Sequence, residues 1–270
     1  MNDGYGDATR MNQPKSDKRN QPREFQGQVA VASSKSSAKA PILYVGGNGT
    51  ISVIMNMGVI IEIAADRAMR VLCHDKFSSS CNSTGTTACI LHPNARIFQQ
   101  GEKVFCNFAT TPYTSNKSAV FGAEGVLFTM SHLGETYFVS SSAVKGTASV
   151  PSVLLQFPNL NHDFTLRHFY SECQTGQEFT NLCNDIVKRA RYGTRNDDSL
   201  MITINDIYIK QEPNGNVEVN CRPRHISCSP TNGTIRVRTD LVDMAVQVHH
   251  TVNAYSWNFF DSFRYQICFD

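Results

Sequence analysis

From Pro41 onward the chain is written as short β-branched and aromatic runs separated by turn residues, and that punctuation leaves few architectures open. Ile51 to Met55 and Val59 to Ile63 flank Asn56-Met57-Gly58. Ile97-Phe98 and Val104-Phe105 flank Gln99 to Glu102, and Val126 to Met130 and Thr136 to Val139 flank His132 to Glu135. Ile202-Thr203-Ile204 leads to Ile207-Tyr208-Ile209, which meets Val217-Glu218-Val219 across Pro213-Asn214-Gly215. Ile226 to Ser229 and Ile235 to Arg238 flank Thr231-Asn232-Gly233-Thr234, and Asn-Gly supplies the positive φ values of a tight hairpin. So many hairpins at this spacing predict a mainly β, β-rich α+β fold built of antiparallel hairpin sheets.

With Asn232-Gly233 as the loop, the last hairpin is expected to set Ser229 opposite Arg236 and Cys228 opposite Val237. One face then carries Ile226, Cys228, Ile235 and Val237, and the other carries Ser227, Ser229, Arg236 and Arg238.

One amphipathic helix is expected at about 176–192, packed on a sheet. Thr175 and Glu178 have the spacing of a capping box. Phe179, Leu182, Cys183, Ile186, Val187 and Ala190 follow as one apolar stripe. Lys188, Arg189 and Arg191 complement the helix dipole in the last turn, and Gly193 is placed to end it in a left-handed conformation.

The flanks differ from this body. Residues 1–40 are poor in aliphatics, carry seven Lys/Arg against four acids, and are expected to form a disordered basic arm. The remainder of the chain is close to neutral, so the overall charge of +2 belongs to the arm. Residues 41–193 read as an antiparallel sheet plus C-terminal helix, 200–247 as a second β unit, and 248–270 as an aromatic-rich tail. That tail contains Trp257, Phe259, Phe260, Phe263 and Tyr265, which are the candidate partner-binding anchors.

No apolar run approaches the ~20 residues of a membrane-spanning helix. The first residues are polar, without a signal-peptide core, so the nine cysteines are expected to be reduced thiols in a cytoplasmic or nuclear, non-secreted protein.

Cys73, His74, Cys81, Cys89 and His92 form the densest set of metal-ligand residue types, but they lack the C-x2-C knuckle of a zinc site. Buried reduced cysteines on strands are the stronger reading, because free Cys is among the most buried residue types. Cys73 and His74 are adjacent, and on a strand their side chains point to opposite faces. His162-Asp163 and His168 share a segment without a nucleophile motif, and no G-x-S-x-G elbow occurs. Gly46-Gly47-Asn48-Gly49-Thr50 lacks the lysine of a phosphate loop and precedes a strand, which points to a turn. Arg222, Arg224, Arg236 and Arg238 group near one hairpin and, with the basic arm, are the candidate nucleic-acid contacts. No catalytic residue, cofactor site or metal site is expected.

An antiparallel sheet closed by a helix ending Lys188-Arg189-Ala190-Arg191-Tyr192 is similar to polo-box modules, which are interaction domains. The turn-and-strand texture is similar to the repetitive β segments of axonemal proteins. The sequence therefore points first to a non-catalytic intracellular protein-interaction or scaffold protein acting through sheet edges or the aromatic tail. A nucleic-acid-associated protein using the basic arm is the alternative. A short form of a longer β-repeat structural protein is the third.

Overall fold

A computed structural model describes residues 41–108, 117–123, 125–129, 136–140, 143–147, 158–247, 251–257 and 262–268; the basic arm lies outside the described residues. The protein is β-rich. The first sheet is a meander of twelve antiparallel strands in chain order. These are β1 (Ile42–Val45), β2 (Ile51–Ile54), β3 (Val59–Ile63), β4 (Met69–Cys73), β5 (Phe77–Cys81), β6 (Thr87–His92), β7 (Ala95–Gln100), β8 (Lys103–Phe108), β9 (Lys117–Gly122), β10 (Gly125–Thr129), β11 (Thr136–Ser140) and β12 (Ala143–Thr147).

Two helices follow, α1 (Phe164–Glu172) and α2 (Thr180–Lys188). The second sheet is a nine-stranded meander. It comprises β13 (Arg191–Thr194), β14 (Leu200–Ile204), β15 (Ile207–Gln211), β16 (Val217–Cys221), β17 (Arg224–Cys228), β18 (Ile235–Arg238), β19 (Val242–Gln247), β20 (Thr251–Trp257) and β21 (Ser262–Cys268). Each neighbour pair in both sheets is a sequence-local hairpin, so the turn chemistry alone specifies strand order.

Alternation decides the faces. Leu43, Val53, Ile61, Val71, Ser79, Ile90, Ile97 and Cys106 stand opposite one another across the first sheet and are fully buried. Ile202, Ile209, Val219, Ile226, Val237 and Met244 form the matching buried row of the second. These two rows share one core, so the sheets stack face to face.

Polar ties hold the stacking in register. Gln211 on β15 accepts from the Asn56 amide at 3.0 Å and donates to the Asn56 carbonyl at 3.0 Å. Arg224 on β17 donates to the carbonyls of Arg67 and Asn82 at 2.8 and 2.9 Å. His92 Nε2 donates to Gly233 O at 3.1 Å while its Nδ1 accepts from the Asn94 amide at 3.1 Å, which fixes a neutral imidazole. Burial holds His92 below its ordinary pKa, partly offset by the Gly233 carbonyl.

The last hairpin differs from expectation by two residues. The loop is Pro230 to Gly233, closed by Ser229 N–H donating to Thr234 O at 2.9 Å. Cys228 therefore opposes Ile235, and Ser227 opposes Arg236. A slip of two keeps every side chain on its face, so Ile226, Cys228, Ile235 and Val237 are buried as expected.

The predicted helix is present but shorter. The capping box does not form. Gly176 N–H donates to Asn48 O at 2.7 Å, and Gln177–Phe179 make a 3-10 turn before α2 begins without a side-chain cap. At the other end Gly193 is not a helix stop but part of β13, because Arg191–Thr194 pair with β14. Cys183 and Ile186 are buried, whereas Leu182 is 46% exposed and falls off the stripe.

Gly49 shows how tightly the helix entrance meets the β1–β2 turn. It has φ +67, and a Cβ there would collide with the carbonyl oxygen of Gly176. Helix α1 was not anticipated. Its sequence signal is Asp163, whose carboxylate caps the Leu166 amide at 3.0 Å.

Candidate interaction site

The outer faces of the two sheets are chemically different. On the second, Thr203, Tyr208, Asn220, His225 and Arg238 stand in one cross-strand row, and Lys210, Glu218, Ser227 and Arg236 in the next. This is a solvated polar surface. On the first, Ile42, Ile54, Ile60 and Leu72 stand in one row that ends at the edge strand β1. Ile42 is 44% exposed and Tyr44, on the same strand and face, is 38% exposed. Among the described residues β1 pairs only with β2, so its outer backbone groups form a sheet edge.

Helix α1 covers the middle of this face. Leu160 and Phe164 pack on Cys89, Leu91 and Phe98, and Phe169 packs on Ala64 and Ala68. Beneath the helix lies a polar layer. Arg70 is 5% exposed and donates to Glu62 Oε2 at 2.6 Å and to Asp163 Oδ2 at 2.7 Å. Thr165 Oγ1 donates to Asp163 Oδ1 at 2.6 Å and lies 2.5 Å from Ser78 Oγ. Burial alone would raise the Asp163 carboxyl; the bonds from Thr165, the Leu166 amide and Arg70 outweigh it and hold the pKa below the ordinary carboxylate value.

Ser80, His168 and Glu172 supply the residue types of a hydrolase triad beside this layer. Ser80 Oγ is 2.5 Å from His168 Nδ1, and His168 Nε2 is 3.0 Å from Thr87 Oγ1 and 3.4 Å from Glu172 Oε2. The order around the ring is the reverse of a Ser-His-acid triad, in which the serine meets Nε2. Ser80 is fully buried, so its hydroxyl meets no substrate. Burial lowers the His168 pKa and Glu172 partly restores it. The arrangement satisfies buried polar groups beneath α1 and has no access for chemistry.

The cysteine and histidine candidates are dispersed. Cys73 and Cys81 face the intersheet core, Cys89 faces α1, His92 bonds to the β17–β18 loop, and His74 is exposed beside Asp75. Burial raises the Cys81 thiol to about 12, and Cys89 higher still. Among the described residues no three His, Cys, Asp or Glu side chains are grouped to hold a metal ion, and the eight cysteines from Cys73 to Cys228 are unbridged.

The four arginines do not form one patch. Arg224 is 3% exposed and turned between the sheets, Arg236 forks onto Asp243, and Arg222 and Arg238 are at the surface. Trp257 lies on β20 and Phe263 and Tyr265 on β21, the last strand of the second sheet; Phe259 and Phe260 lie outside the described residues. The β13 edge was missed in sequence, because its residues read as the end of a helix.

A family described as "Domain of unknown function (DUF8796)" matches residues 41–255, and the chain belongs to that family. The matched segment takes in all of the first sheet, both helices and most of the second sheet. No curated protein matches the sequence. Among solved structures, the chain is similar to the wild-type TCP10 domain of Danio rerio CPAP, with 10% identity over 78% of this chain and 94% of that one, at a TM-score of 0.34. The same domain in complex with a peptide of Danio rerio STIL aligns with 10% identity over 84% and 92% at 0.32. The SAS-4 (dCPAP) TCP domain of Drosophila melanogaster, in complex with a proline-rich motif of Ana2 (dSTIL), aligns with 11% identity over 71% and 96% at 0.33. Likeness at these scores carries no argument about function. No helix among the described residues is long and apolar enough to cross a membrane.

Proposed function

We propose that the protein is a non-catalytic protein-interaction module of the cytoplasm or nucleus that engages its partner by strand addition at a sheet edge. The observation that supports this most directly is β1. It presents edge backbone groups, two exposed apolar side chains in Ile42 and Tyr44, and an aliphatic row running inward from it. Native sheets blunt their edges with charge, proline, bulges or a covering helix; β1 carries no charge and no proline within Ile42–Val45, and α2 packs against it. An extended partner segment would continue the sheet through main-chain bonds and continue the row through its own apolar side chains.

The test is affinity capture from the native source with the full chain and with Ile42→Lys/Tyr44→Lys. Both positions are exposed, so the double variant is expected to fold. A partner lost with the variant supports the reading. A partner kept by the variant moves the site to the β21 edge, where Phe263 and Tyr265 lie. Capture of no partner by either form overturns the reading.

A further inference from the structure

The strand β13 has a chemistry of its own. All four of its residues are exposed, and among the described residues it pairs only with β14, which makes it the first edge of the second sheet. The run from Lys188 to Arg195 contains Lys188, Arg189, Arg191 and Arg195 and no acid. Lys188 is paired with Asp185 at 3.0 Å, and Arg189 Nε donates to the Asp185 carbonyl at 3.2 Å. The cross-strand neighbours of β13 are Thr203, Ile202, Met201 and Leu200, none acidic, so the sheet itself does not neutralise Arg191. The nearest acids in sequence are Asp197 and Asp198, in the turn beyond; Asp197 accepts from the Ser199 amide at 3.1 Å.

We propose that the β13 edge binds an extended peptide in which acidic and apolar residues alternate, added as a further antiparallel or parallel strand. This rests on the interaction-module reading and names a second docking edge with a partner chemistry of its own. Arg191 stands in the row of Thr203 and Tyr208, on the outer face, whereas Tyr192 stands in the row of the buried Ile202 and Ile209. A strand beside β13 therefore sets every second side chain near the Arg191 face and the others near Tyr192 at the rim of the core. Acidic residues suit the first set and apolar residues the second.

The same charges argue against a second copy as occupant. Two-fold antiparallel pairing centred on Gly193 would set Arg191 opposite the second copy's Arg195, and like charges directly opposite destabilise a pair. The cationic edge thus discourages self-association and selects an acidic strand.

The probe is a fluorescein-labelled peptide, Glu-Val-Glu-Val-Glu-Val-Glu, titrated with the full chain and followed by anisotropy at low salt. Its counterparts are the Lys-Val peptide and a Glu-Val peptide with every backbone amide N-methylated, which keeps the charge and loses the donors. The Glu-Val peptide is expected to bind at least about tenfold more tightly than either counterpart. Arg191→Glu/Arg195→Glu is expected to weaken it at least about tenfold, with Arg191→Gln/Arg195→Gln intermediate and both variants unchanged in circular dichroism. Should the charge-reversed protein fail to fold, the glutamine variant alone decides the site. Equal binding of the N-methylated peptide would show charge attraction only and overturn strand addition. Undiminished binding by the arginine variants would overturn the β13 site. Failure of the Glu-Val peptide, with β1-dependent capture intact, overturns this inference and leaves the interaction reading standing.

Discussion

Arg70 carries the polar layer under α1. It is the cation between two carboxylates in a site where its own side chain is 6% exposed. Arg70→Met would leave Glu62 beneath the helix without its counter-charge. Asp163 is 38% exposed and recovers part of its hydration, so the expected loss is about 3 kcal/mol, at the lower end for a broken buried pair, read by urea denaturation. Gly49→Ala combines a left-handed backbone with a collision against Gly176 and is expected to cost about 1–3 kcal/mol in the same measurement. The buried imidazoles set a pH dependence. Burial holds His168 and His92 below the ordinary value of 6.5, and partial burial on the outer face does the same for His225. The unfolded chain therefore takes up protons first as pH falls through 6.5. The neutral imidazoles stabilise the fold above that value, and their contribution is lost as pH falls further toward their folded values. The melting temperature is expected to drop between about pH 7 and about pH 5, and His168→Gln to make the slope shallower.

Helices show where local signals and tertiary demands conflict. The stripe in α2 was legible because Phe179, Cys183, Ile186 and Val187 recur at helical spacing, and they do meet the core. The capping box was equally legible, and it fails because the Thr175 amide donates to the Cys173 carbonyl and the Thr175 hydroxyl to the Tyr170 carbonyl instead. At the C-terminal end, pairing with β14 gives Arg191–Thr194 a ladder that a frayed last helical turn does not offer. Helix α1 carries a weaker signal, because its buried residues, Phe164, Thr165, His168 and Phe169, mix apolar with polar side chains and make no continuous apolar stripe. Phe164→Ala is expected to cost about 3–5 kcal/mol and to open the cover over Cys89. Alkylation of that thiol, measured by peptide mass, is the second readout. Unchanged alkylation would mean that α1 does not shield the sheet there.

At the scale of the whole molecule, two local meanders are joined by a single core. Meander topology makes nearly every strand pairing a short loop closure, which favours fast assembly of each sheet. The stacking is non-local: Gln211 to Asn56, Arg224 to Arg67 and Asn82, and His92 to Gly233 all join distant parts of the chain. Since the core rows of both sheets bury one another, the two are expected to unfold in one transition. Intrinsic fluorescence from the sole Trp257, in the second sheet, and far-UV circular dichroism should then give coincident urea curves. Separate midpoints would mean that each sheet holds a core of its own.

The sequence by itself determined the β-rich antiparallel class, several of the hairpins and the inward face of their strands, because period-two patterning and turn residues act within a few positions along the chain; it did not give β13, nor β20 and β21 in the aromatic-rich segment. It determined faces even where register slipped, since a shift of two preserves them. Only the tertiary structure decided which strands are edges, which outer face α1 covers, where α2 gives way to β13, and that Ser80 and His168 are buried beneath α1. Those outcomes depend on contacts between residues far apart in the chain, where the free energy of stacking two sheets and covering one face outweighs local preferences for caps and helix ends.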